Sequence, residues 1–178
     1  MNPEELIRKY YAGQDELMNL LVQHSRQVAD RAMKVLDKHP ELQADRQFVY
    51  EAAMLHDIGI LHTDAPGIGC HGTHPYICHG RLGAEILRAE GLPLHARVAE
   101  RHTGTGLTRE TIQKQGLPLP DGDFSPETLE EQIVCYADKF FSKSHPERVK
   151  TAAQVRDMLS RFPDADIARW DSWVALFG

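Results

Sequence analysis

The side chains best equipped for chemistry in this 178-residue sequence are histidines and aspartates, and they fall in a definite order. His24 lies in a long amphipathic segment. His56-Asp57 closes the small-residue apolar run Ala52-Ala53-Met54-Leu55, His79 and His102 follow, and Asp138 stands in a later amphipathic run. Seven of the ten histidines fall between His56 and His102. An ionised carboxylate next to a run that reads as buried is unfavourable unless its charge is compensated, and a metal cation does this well. Imidazole and carboxylate together suit divalent iron, manganese, zinc or magnesium. Singly, each residue has a plainer reading. An inward histidine is commonly a hydrogen-bonded core residue, and Asp138 has a basic neighbour in Lys139.

The elements that must position these groups read as helices. After a short helix over residues 3–11, broken at Gly13, Leu17, Leu21, His24, Val28, Ala32 and Val35 recur at three- and four-residue steps, until Pro40. His24 therefore faces inward. Asp45 caps a helix expected to run from Arg46 to about Ile60, with His56 on its apolar stripe and Asp57 at the edge; Gly59 lets it end. Leu61 to Cys78, with Pro66, Gly67, Gly69, Gly72 and Pro75, reads as a long polar flap. Its Cys70, His71, His74 and Cys78 match no paired zinc-ligand spacing, so a separate zinc knuckle is disfavoured.

His79 opens the next helix, which closes at Gly91, and another after Pro93 ends at His102 before Thr103-Gly104-Thr105-Gly106. A short helix over Thr108–Gln115 precedes a loop. Ser125 with Pro126 and Glu127 signals the start of the helix carrying Asp138. Residues 147–177 give two more helical patterns joined at Phe162-Pro163-Asp164. No strand series stands out. The expectation is an all-α single domain.

Bulk properties narrow the partners. The net charge of −6 gives no basic field for a nucleic-acid duplex or anionic membrane. Three cysteines are too few for a disulfide framework. No signal-peptide pattern opens the sequence and no apolar run reaches bilayer-spanning length, so a cytoplasmic location is expected.

The series His24, His56-Asp57, Asp138, each on a different amphipathic helix, resembles the HD-domain superfamily of metal-dependent phosphohydrolases, with the doublet extended to His56-Asp57-Ile58-Gly59. The resemblance covers roughly residues 18–145. It implies an HD-type helical bundle and leaves the C-terminal helices of residues 147–177 outside it; these are expected to pack on the family core through Trp170, Trp173 and Phe177, for about 7–9 helices in all. It also implies that His24, His56, Asp57 and Asp138 hold one divalent ion. In order and placement, His79 and His102 match the added histidines of two-metal members, in which the doublet aspartate bridges the ions. That is similar to the symmetrical diadenosine tetraphosphate hydrolase group. Cyclic-dinucleotide phosphodiesterases commonly carry two tandem histidines where this chain has His102-Thr103, and they carry a Gly-Tyr-Pro motif missing here.

The implied reaction is hydrolysis of a phosphoester or phosphoanhydride of a nucleotide or other small phosphorylated metabolite by metal-activated water. Asp57 would bridge the ions or orient the water, while Lys139, Arg81 and Arg101 are candidates for phosphate contact. A di-iron oxygenase of the same superfamily is one alternative. A non-catalytic, metal-stabilised nucleotide-binding module is another, and both monomer and homodimer stay open.

Overall fold

The computed structural model describes residues 1–162 and 165–178. Nine α-helices occur among them: α1 (Pro3–Tyr10), α2 (Asp15–Lys38), α3 (Arg46–Leu55), α4 (His79–Ala89), α5 (Pro93–Arg101), α6 (Arg109–Gln115), α7 (Leu129–Asp138), α8 (Ala152–Leu159) and α9 (Ile167–Phe177). The fold is all-α, as expected. Helices α2, α3, α5 and α7 pack on one another, and α4 lies against α5. None of the described helices is long and apolar enough to cross a membrane.

Local chemistry sets most helix starts. The Asn2 side chain accepts from the Glu4 N–H ahead of α1, and the Asp45 carboxylate accepts from the Phe48 N–H ahead of α3. The start of α7 differs from expectation. Its cap is Thr128 rather than Ser125, because Thr128 and Glu131 form a reciprocal capping box. Glu131 is buried and also takes a 2.8 Å bond from Arg97 of α5, which ties the helix start to its neighbour.

A second difference lies at the centre of the molecule. Helix α3 stops at Leu55, and residues 58–62 form a 3-10 turn instead of continuing to Ile60. The apolar run does continue, which is why periodicity extends the helix too far. The turn is held from outside: the Tyr11 hydroxyl donates to the Ile58 carbonyl at 2.9 Å, and the Gly59 backbone lies directly against the start of α4. A Cβ at Gly59 would run into the His79 carbonyl oxygen and the Gly83 backbone. Gly59 is thus required by close approach.

The stretch from Leu61 to Cys78 is more ordered than a flap. Strand β1 (Thr63–Ala65) pairs antiparallel with β2 (Cys70–His71), Asp64 opposite His71, and parallel with β3 (His74–Pro75), Thr63 opposite His74. Strands of two or three residues are too short for alternation to show in the sequence.

The C-terminal helices close the core. Trp170, Trp173 and Phe177 of α9 are buried, Trp170 stacks on Tyr136 of α7 at 5.2 Å, and the Trp173 indole donates to Gln132. The junction expected at Phe162-Pro163-Asp164 falls partly outside the described residues, since Pro163 and Asp164 are not among them.

Candidate metal centre

Three histidines reach the centre by one local device repeated. His56 is the C-cap of α3, His102 is the C-cap of α5, and His79 follows the 3-10 turn Tyr76–Cys78 in the same position. The last carbonyls of a helix have no partner within the helix. In each case the histidine Nδ1 donates to the carbonyl three residues earlier, at Ala53, Tyr76 and Ala99, each at 2.7 Å. A carbonyl can only accept, so Nδ1 carries a proton in each ring and Nε2 is the atom that points inward. Metal-binding histidines are commonly oriented in this way.

Those nitrogens meet Asp57, whose side chain is fully buried. Its Oδ2 lies 3.1 Å from His24 Nε2 and 3.0 Å from His56 Nε2. Asp138 Oδ1 completes this first group, at 3.1 Å from His24 Nε2 and 3.5 Å from His56 Nε2. The other oxygen, Oδ1, faces His79 Nε2 at 3.4 Å and His102 Nε2 at 3.3 Å. Two sets of donor atoms result, His24/His56/Asp57/Asp138 and Asp57/His79/His102, with the atoms of each set within 4.8 Å of one another. The six histidines and aspartates singled out in the sequence come together, with Asp57 common to both sets.

His24 Nε2 and Asp138 Oδ1 form a hydrogen bond, whereas the contacts of Asp57 are short without being well-formed hydrogen bonds. His56 Nε2 and both Asp57 oxygens are buried with no hydrogen-bonded partner. His79 Nε2 and His102 Nε2 lie 3.0 Å apart, although the carbonyl bonds leave both as acceptors. Burial holds the His79 imidazole down to about 3, against the pull of Asp57, and lowers that of His102 as well. Imidazole nitrogens and carboxylate oxygens converging on common points are the donor set of a divalent cation. Spacings of 3.0–3.5 Å are those of adjacent ligands bonded to one ion at about 2.0–2.2 Å. The residues therefore fit a metal.

The flanking cations fall differently from expectation. Lys139 is buried and donates to Asp138 Oδ2 at 2.6 Å and to the His102 carbonyl at 2.9 Å, so two of its three N–H donors are already used. Arg81 pairs with Glu85 one turn along α4. Two residues from His79, it lies about 200° round the helix, which corrects its expected place beside the site. Arg101 is likewise turned away, bonding the Ser125 carbonyl and pairing with Glu127.

The cation that sequence reasoning missed is Lys143, whose ammonium lies 2.5 Å from Asp57 Oδ2. Burial disfavours its charge, but Asp57 outweighs that and raises its pKa, while His56 and Lys143 help hold Asp57 well below the usual carboxylate range despite burial. Lys143 follows the end of α7, where no periodic pattern could place it.

A cleft of about 460 Å³ opens on this centre. His24, Asp138 and Lys139 line it together with Lys143, Lys150 and Tyr76, whose ring stacks on His79 at 4.7 Å. Cys70 and Cys78 are separate free thiols. Among the described residues, neither belongs to a metal-binding group.

The chain belongs to the HD-domain family, whose model matches residues 21–142. Among curated proteins it is similar to tRNA (cytidine(56)-2'-O)-methyltransferases of two archaea. With that of Picrophilus torridus it is 36% identical over 152 residues, 80% of this chain and 40% of the relative. With that of Thermoplasma volcanium it is 36% identical over 139 residues, 78% of this chain and 35% of the relative. The chain thus spans about two fifths or less of these relatives' length. An uncharacterised protein of Methanocaldococcus jannaschii is 39% identical over 121 residues, 66% of this chain and 64% of that protein. Among solved structures, the HD domain of the Listeria monocytogenes phosphodiesterase PgpH in complex with cyclic-di-AMP superposes with a TM-score of 0.56. It is 22% identical, covering 96% of this chain and 94% of that one, and at that identity the likeness speaks to the fold.

Proposed function

We propose that the chain is a metal-dependent phosphohydrolase acting on a nucleotide or another small phosphorylated molecule. The observation that carries this reading is the division of Asp57, with one oxygen turned to each of two groups of inward-facing imidazole nitrogens. His24, His56, Asp57 and Asp138 would hold one divalent ion, and His79 and His102 would share Asp57 with a second. Divalent cations supply Lewis-acid activation of water and phosphoryl oxygens at neutral pH.

The chain's own residues contribute orientation and charge. The Ala53, Tyr76 and Ala99 carbonyls fix the three rings. Lys139 holds Asp138 in place. Lys143 neutralises part of the Asp57 charge from the cleft side, where its remaining donors can meet negative charge developing on a phosphoryl group. Support for a nucleotide comes from the PgpH domain, which shares the fold and is described with a bound cyclic dinucleotide. The methyltransferase activity of the archaeal relatives is not carried over, because more than half of each relative lies outside the matched region.

The test is to determine bound metal by elemental analysis, then to screen nucleotides and generic phosphodiesters with wild type and Asp57→Ala. Asp57→Ala should lose metal from both groups and at least 100-fold in hydrolysis. A wild-type chain that takes up no divalent ion under any loading condition sinks the proposal, as does full activity in Asp57→Ala.

A further inference from the structure

The cleft over the centre carries more positive charge than the centre itself uses. Lys139 and Lys143 are each paired with a carboxylate, Asp138 and Asp57. Lys150 lines the same cleft, and among the described residues its ammonium has no carboxylate within ion-pairing distance. Its bond is to the Phe141 carbonyl at 3.1 Å, leaving N–H donors unused. Its backbone N–H donates to the Phe140 carbonyl at 2.9 Å, which fixes the stem beside the end of α7.

Ser142 and Ser144 line the cleft too, their hydroxyls 3.0 Å apart. When one hydroxyl donates to the other, the second keeps its hydrogen for a ligand. Burial lowers the Lys150 pKa, with the nearby Lys139 charge acting in the same direction and Asp138 opposing, so a bound anion would relieve a strained charge.

We propose that Lys150, Ser142 and Ser144 form a second phosphate subsite beside the metal centre, so that the substrate carries a diphosphate unit rather than a lone phosphomonoester. The inference rests on the phosphohydrolase reading for its choice of substrate, but the subsite itself stands on this chain's own residues. One phosphoryl group lies over the metal centre, and the next meets the Lys150 ammonium and a serine hydroxyl, the kind of charge-assisted bond that roughly doubles a neutral one. A cleft of about 460 Å³ is within the range for small-molecule sites.

The experiment is calorimetric titration of inorganic pyrophosphate and inorganic phosphate into the full chain, both metal-free and manganese-loaded, in wild type, Lys150→Met and Lys150→Arg. Wild type should prefer pyrophosphate in both forms. In Lys150→Met the ratio of the two affinities should fall about tenfold, and Lys150→Arg should restore most of it, which a general folding defect would not. A fall of less than threefold in Lys150→Met, or no recovery in Lys150→Arg, overturns the subsite. The two readings fail separately. If no divalent ion binds, the hydrolase reading falls while the metal-free titration still decides the subsite. If Asp57-dependent hydrolysis is found and the ratio does not move, the subsite alone falls.

Discussion

At Asp57 two requirements meet that ordinarily conflict: a carboxylate kept ionised and a position without access to water. Imidazoles and the Lys143 ammonium resolve the conflict by surrounding both oxygens. His56 shows the consequence for proton balance. Burial works against its charge, but Asp57 and Asp138 outweigh it and raise its pKa to about 9 in the metal-free chain. The stabilisation from its protonated form is therefore fully present below the unfolded imidazole value of about 6.5 and is lost as pH rises through about 9. A cation at the first group must displace that proton. Its affinity should rise about tenfold per pH unit up to about pH 9, whereas the second group, with His79 neutral in this range, should not share that slope. Chelator competition at pH 6.5, 7.5 and 8.5 measures this, and two flat profiles would contradict it. At this scale the sequence was most legible, because His24, His56, Asp57, His79, His102 and Asp138 stand out by type and order. Lys143 did not, and Arg81 was misplaced, since adjacency in a helical sequence sends a neighbour's side chain to another face.

Elements decide whether the two donor groups meet. The turn at residues 58–62 and the start of α4 approach at Gly59, and Gly80 repeats the closeness between α4 and α5, where a Cβ would lie 2.6 Å from the Ala99 carbonyl oxygen. Gly59 brings the start of α4, with His79, against the turn that follows Asp57, and Gly80 brings it against α5, which ends at His102. Gly59→Ala should force the α4 start outward, costing about 1–3 kcal/mol by overpacking and reducing metal at the second group more than at the first. Urea denaturation and elemental analysis report the two effects. Normal stability with full metal content would show that the close approach is not needed. Helix existence was plain from apolar periodicity and capping residues. Helix ends were less so: the α3 terminus depends on the Tyr11 hydroxyl and on α4, both distant in sequence. Strands as short as β2 and β3 leave no periodic trace at all.

Across the whole molecule, the C-terminal helix supports the site from behind. Trp170 is fully buried against Tyr136, two residues before Asp138 on α7, and Arg31 of α2 covers the Phe140 ring at 3.2 Å. Trp170→Ala should cost about 3–5 kcal/mol, and a divalent ion at a hundredfold excess over its Kd should return about 2.7 kcal/mol, because it binds only the folded chain. Thermal melts with and without metal test both terms. A variant whose melting temperature ignores metal would show that α9 also carries the site's binding geometry. Trp170, Trp173 and Phe177 recur at three- and four-residue steps, the spacing of one apolar helical stripe. Which helix it covers is a long-range pairing that no local pattern encodes.

The carbonyl bonds at His56, His79 and His102 have a consequence for the order of events during folding. Each spans only three residues, so each ring can be aimed by its own segment, without a contact from another helix. Loop closure then has only to deliver ligands that already point the right way. Orientation is a short-range message in this chain and position a long-range one. Moving one of these histidines a single residue along its segment would therefore break the aim without altering the composition.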